Sequence, residues 1–131
     1  MDKTGEFIKD FLKYMQERDL KNLMNLFAED VDWEIPGDTE RLKWLGLRKN
    51  KTDVELLFKQ LWEETRPISA KIHKILSDQD EAIIKGEFIT KMLRTNKDVN
   101  SIFFIHFKLQ NMRIAEYTLL EDSYAVSEAV K

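Results

Sequence analysis

The run VNSIFFIHFKLQNMRIAEYTLL spans residues 99–120, and its reading decides the fold. Side chains in a strand alternate between two faces. Val99, Ser101, Phe103, Ile105, Phe107 and Leu109 therefore share one face, almost unbroken hydrocarbon, which belongs against a core. Asn100, Ile102, Phe104, His106 and Lys108 share the other. Gln110 and Asn111 are short enough for a two-residue hairpin, and Asn111 tolerates positive φ. A second strand then runs from Met112 to Leu120, and this register puts Glu116 on the same outer face as His106.

Outward from this hairpin the pattern of alternation continues toward the N-terminus. Residues 82–93 read as a strand, bounded by turns at SDQD (77–80) and TNKD (95–98). Ile68, Ala70 and Ile72 alternate with Ser69, Lys71 and His73, giving a strand directly after Pro67. Four successive antiparallel strands result. On the C-terminal side, Asp122 or Ser123 can cap a last helix carrying Ala125, Val126 and Val130.

The first half is helical. Residues 4–18 place Ile8, Phe11, Leu12 and Met15 on one stripe, flanked by Phe7 and Tyr14, with Thr4 as the cap. Asp19 restarts a short helix with Leu20, Leu23, Met24 and Phe27. DVDWEIPGD (30–38) then alternates, with Val31, Trp33 and Ile35 inward and Asp32 and Glu34 outward. Residues 37–51 show no period and read as a loop. Thr52 and Glu55 form a capping box for a third helix, whose buried stripe is Val54, Leu57, Phe58, Leu61 and Trp62. Arg66-Pro67 ends it. The order α-α-β-α-β-β-β-β predicts an α+β domain, three N-terminal helices packed on an antiparallel sheet.

At 131 residues the chain is long enough for one domain and one core. A formal net charge of -3 gives no global drive toward nucleic acid or anionic membrane. The absence of cysteine excludes disulfides, thiolate nucleophiles and Cys-ligated metals. No segment is apolar for the ~18 residues that a membrane span requires, and MDKTGEFIKDF lacks a signal peptide's apolar run. A cytoplasmic protein is the expectation.

Three passages carry a family resemblance: ERDLKNLMNLFAEDVDWEIPG (17–37), HFKL (106–109) and RIAEYTLLED (113–122). Together with the element order, they resemble the nuclear-transport-factor-2-like (NTF2-like) domains, near the SnoaL-like polyketide cyclases and the ketosteroid isomerases. The resemblance implies a curved sheet wrapped around a long helix. It also implies a cone whose mouth holds small apolar ligands without a cofactor, and homodimers through the outer sheet face.

The isomerase pattern needs an aspartate base before the proline of the first strand, a tyrosine donor on the first helix, and a protonated aspartate before the His-Phe of the penultimate strand. The matching residues here are Ile35, Phe11 and Ile105, with Tyr14 three positions from Phe11. Proton abstraction beside a carbonyl needs a base and an enolate donor, so isomerase activity of that kind is not expected. A slip of one residue would bring Glu34 near the base position, but alternation groups it with Asp32 on the outer face.

A pocket wall for a small hydrophobic molecule is expected from Phe11, Tyr14, Trp33, Ile35, Trp44, Phe58, Trp62, Ile105 and Tyr117. Phe58 and Trp62, on a helical stripe, read rather as plain core, and Trp33 and Trp44 rather as pocket, because an aperiodic loop rarely carries a tryptophan without something to cover. Ile102, Phe104, His106 and Glu116 are expected on a dimer face, with His106 paired to Glu116. The two histidines lie on separate strands, so no metal site is expected. Asp122 reads as a cap rather than an acid, Glu87 pairs with Lys85, and Arg41 and Arg48 flank Trp44 as possible anion contacts.

Two functions follow. One is a SnoaL-like protein binding a small hydrophobic molecule, with cofactor-free acid–base chemistry if it turns that molecule over. The other is a dimeric binding module with a filled cone. An open cavity holding a shielded polar group favours the first; a closed cone and a larger exposed apolar face favour the second.

Overall fold

A computed structural model of the chain describes residues 3–131. Two helices, α1 (Lys3–Glu17) and α2 (Leu20–Met24), lead into β1 (Phe27–Ile35) and β2 (Gly46–Asn50). Helix α3 (Lys51–Glu64) precedes β3 (Thr65–Asp78), β4 (Glu81–Met92), β5 (Lys97–Gln110) and β6 (Arg113–Glu121), and the short α4 (Ser123–Glu128) follows. Only two helices therefore precede the sheet; the third comes mid-chain, after two strands.

All six strands form one sheet in the order β2-β1-β6-β5-β4-β3. β1 runs parallel to β6, and every other neighbouring pair is antiparallel, so the sheet is mixed rather than antiparallel. Register shifts interrupt four of the five pairings, and such bulges bend strands and increase twist. The curved inner face carries the core. Phe7, Ile8 and Phe11 of α1 and Val54, Leu57 and Phe58 of α3 are buried with it.

Gly86 of β4 shows how tightly that face closes. A Cβ there would meet the Lys71 carbonyl oxygen and approach Phe103 Cζ to 2.7 Å. A glycine lets the Phe103 ring lie directly over the strand.

Several local expectations are corrected. Residues 46–50 are not loop but the edge strand β2. Phe27 opens β1 instead of closing α2. The cap of α3 is Asn50, whose Oδ1 accepts from the Asp53 backbone N–H at 2.9 Å while its Nδ2 donates to Asp53 Oδ2 at 3.1 Å. Thr52 lies inside the helix, because β2 delivers an extended residue (φ -146, ψ 162) at Asn50. Thr4 lies in the first turn of α1, and its hydroxyl donates to the Gln79 carbonyl. The hairpin turn is Asn111–Met112 (φ 52 and 57), closed by the Gln110–Arg113 pair. A register shift after Lys108 then restores the alternation, leaving Ile114 and Tyr117 buried.

Candidate functional site on the concave face

The parallel β1–β6 register sets Trp33 opposite Tyr117. Their rings stack with centroids 4.1 Å apart and planes 7° from parallel. Phe58 of α3 meets Trp33 edge-on at 5.5 Å, and Phe11 of α1 lies 6.2 Å from Tyr117. Ile35, Trp44 and Ile105 are buried in the same cluster, while Tyr14 and Trp62 pack against it half-buried. All nine anticipated wall residues thus belong to one apolar body. Its central rings are buried as a core's are: Trp33, Phe58 and Tyr117 are each only 2% exposed. Two surface hollows lie elsewhere, one between the start of α1 and the β5–β6 turn, the other at the β1–β6 seam beside Asp32 and Glu116.

Among the polar groups on this hydrocarbon surface, Trp33 Nε1 and Glu121 bear most on its chemistry. The Trp33 indole Nε1 is buried without a hydrogen-bond partner among the described residues. Buried donors are rarely left so, because desolvation without a bond costs about 1–3 kcal/mol. The second group is Glu121. It follows Tyr117 and Leu119 on the inward side of β6, opposite Phe103 and half-buried. Burial, then the neighbouring Asp122 charge, push its carboxyl up to about 7. Burial also raises the Tyr117 hydroxyl, with a smaller contribution from the Glu121 charge. A carboxyl held near neutrality exchanges protons readily at physiological pH.

Ile35 and Ile105, at the positions where the isomerase pattern has acids, are buried hydrocarbon, and Glu34 is exposed on the outer side. The inward acid therefore stands on a different strand from either. Asp122 is the cap of α4, accepting from the Ala125 N–H at 3.0 Å, and its own N–H donates to the buried Ser101 hydroxyl at 2.8 Å. The signal for Glu121 was the alternation Tyr117, Leu119, Glu121 carried one residue past the expected strand end.

The remaining anticipated polar contacts are committed elsewhere. Arg41 is held by Asp38 at 2.7 Å, and Arg48 donates to the carbonyls of Lys43, Leu45 and Leu47. His106 Nε2 bonds Glu81 at 2.7 Å rather than Glu116, which lies opposite Lys108. His73, not Lys85, faces Glu87, at 3.6 Å, and Lys85 sits over the Phe104 ring. Among the described residues no three His, Asp or Glu side chains converge as a metal site would need, and no helix is long and apolar enough to cross a membrane.

The family assignment follows from sequence and fold together. The profile of the SnoaL-like domain matches residues 8–117. The chain belongs to the SnoaL-like family. Its fold is similar to that of an NTF2-like protein from Burkholderia pseudomallei, with TM-score 0.88, 13% identity and 100% of this chain and 99% of that one covered. It is also similar to TerC co-crystallised with polyporic acid, with TM-score 0.82, 14% identity and 97% of each chain covered. An LEH-like epoxide hydrolase of M. tuberculosis matches with TM-score 0.75 and 15% identity, over 97% of this chain and 88% of that one. At these identities the likeness shows the fold alone. No curated protein matches the chain in sequence.

Proposed function

We propose that this SnoaL-like domain binds a small hydrophobic molecule bearing a hydrogen-bond acceptor, seated against the concave aromatic face. The observation that carries this reading is the unpartnered Trp33 Nε1 among the rings of Phe27, Phe58 and Tyr117. An acceptor on the ligand satisfies that donor, and the rings supply apolar contact. Glu121 is the proton-exchanging group: protonated, it donates to a carbonyl or leaving oxygen; ionised, it accepts a proton from carbon or water. Both steps fit isomerisation, cyclisation or hydration without a cofactor. The crystallisation of TerC with polyporic acid on the same fold supports a ligand of oxygenated aromatic type.

The near-complete burial of the central rings favours a second reading, a filled cone whose working surface is the outer sheet face. Tryptophan fluorescence separates the two. Titration with a panel of quinones, polyketides and steroids is expected to shift the emission, and Trp33→Phe is expected to weaken binding about tenfold through loss of one hydrogen bond. No response across the panel overturns the ligand reading.

A further inference from the structure

Trp33 is buried and Glu121 half-buried, so a ligand on the concave face needs a way in. The segment that joins β1 to β2 lies at the end of the sheet where Glu121 stands. A Cβ built on Gly37 would come 3.6 Å from the Cβ of Ser123, two residues past Glu121. Leu42, Trp44 and Leu45 of the segment are at most 3% exposed and belong to the same apolar body as Trp33.

This segment is a small unit in itself. The Asp38 carbonyl accepts from the Leu42 N–H at 3.0 Å, and the Leu42 carbonyl from the Leu45 N–H at 3.1 Å. Asp38 Oδ1 accepts from the Arg41 N–H at 3.2 Å, and Arg48 gathers the Lys43 and Leu45 carbonyls. Among the described residues, no backbone hydrogen bond ties residues 38–45 to another element. Two side-chain bonds fasten it instead. The Ser127 hydroxyl of α4 donates to Asp38 Oδ2 at 2.7 Å, and Arg94 donates to the Arg41 carbonyl at 3.3 Å. The anchor side is secured separately: Thr95 donates to the Ala129 carbonyl, and Lys97 to the Lys131 carbonyl at 2.9 Å. Glycines stand at both ends of the segment. Gly46 has φ 103, which side chains rarely adopt, and a Cβ on Gly37 would approach Leu45 Cδ1 to 2.6 Å. A unit bonded internally and lightly fastened outside can open ahead of global unfolding.

Resting on the reading that the concave face takes a ligand, we propose that residues 37–46 form its entry flap. The flap swings on Gly37 and Gly46, breaks the Asp38–Ser127 latch and withdraws Trp44 and Leu45 while α4 and the sheet stay in place. Closing again, it covers the bound molecule with hydrocarbon and shuts out water.

Hydrogen exchange of the full chain, read by NMR, tests this without a ligand. The slowest β5 amides report global unfolding. The Trp33 and Trp44 indole N–H groups are expected to be protected at least tenfold less than those amides, and to exchange at a rate that low urea does not change. Asp38→Ala and Ser127→Ala are each expected to speed both indoles about tenfold, the loss of one latch bond. Asn50→Ala, which loosens the α3 cap but not the flap, is expected to speed the β5 amides and leave the indoles unchanged. Indoles protected as strongly as the slowest β5 amides, indole exchange that follows urea as those amides do, or indoles indifferent to both latch variants overturns the flap alone. A fluorescence panel without response overturns the ligand reading, and the flap's role with it.

Discussion

Trp33 and Tyr117 lie face to face, 4.1 Å between centroids, although they belong to the first and last strands in chain order. The stack joins the two halves of the chain at the centre of the concave face. Tyr117→Ala is expected to cost about 3–5 kcal/mol, as aromatic-to-alanine changes in cores do. Trp33→Phe removes a donor that has no partner, so its cost is expected near 1–2 kcal/mol, that of lost ring volume alone. Urea unfolding of both variants checks the ordering; an equal loss for the two would mean the indole nitrogen is bonded.

Glu121 gives the protein a pH signature. Its carboxyl is raised from 4.5 to about 7 in the folded state. Between those values the folded chain holds a proton that the unfolded chain has released. The contribution is fully present below about 4.5 and is lost as pH rises through about 7. Stability is expected to fall by on the order of 2 kcal/mol across this window, after discounting for partial exposure. Glu121→Gln is expected to flatten that slope and to abolish any turnover while leaving ligand affinity within about threefold. Thermal unfolding at pH 5 and pH 8 in parallel with the variant reads the difference.

The start of α3 distinguishes two capping patterns that overlap in sequence. Asn50 and Asp53 are bonded reciprocally, whereas Thr52 lies within the helix. Asn50→Ala is expected to cost about 1 kcal/mol and Thr52→Ala less than about 0.5 kcal/mol. The reverse order in denaturant midpoints would restore the Thr52–Glu55 box.

Gly86→Ala is expected to destabilise by about 2 kcal/mol or more, because the new methyl meets the Lys71 backbone oxygen and the Phe103 ring together. Pairing it with Phe103→Leu is expected to recover part of the loss by freeing the ring side. Recovery to wild-type stability would show that the backbone contact is negligible.

What the sequence disclosed tracks the strength of local periodicity. β5, buried at Val99, Ser101, Phe103, Ile105, Phe107 and Leu109 in turn, was legible residue by residue. β2 was not, since an edge strand with Leu47 exposed carries no apolar alternation to read. The parallel β1–β6 pairing joins segments some eighty residues apart, and no local pattern encodes it. His106 was assigned the wrong glutamate for the same reason: its partner Glu81 comes from β4, across a register that only the assembled sheet fixes. The aromatic cluster was legible as a set. The acid beside it was missed because the strand was ended one residue short.

The position of β6 has a consequence for synthesis. It lies between β1 and β5, so β1 lacks one of its two neighbours until residues 113–121 are made. A chain still short of that point has Trp33 and Phe107 without the Tyr117 ring that lies beside both. Assembly on the ribosome therefore waits for residues 113–121, and nascent chains halted before β6 present an oily, half-built sheet to the quality-control machinery.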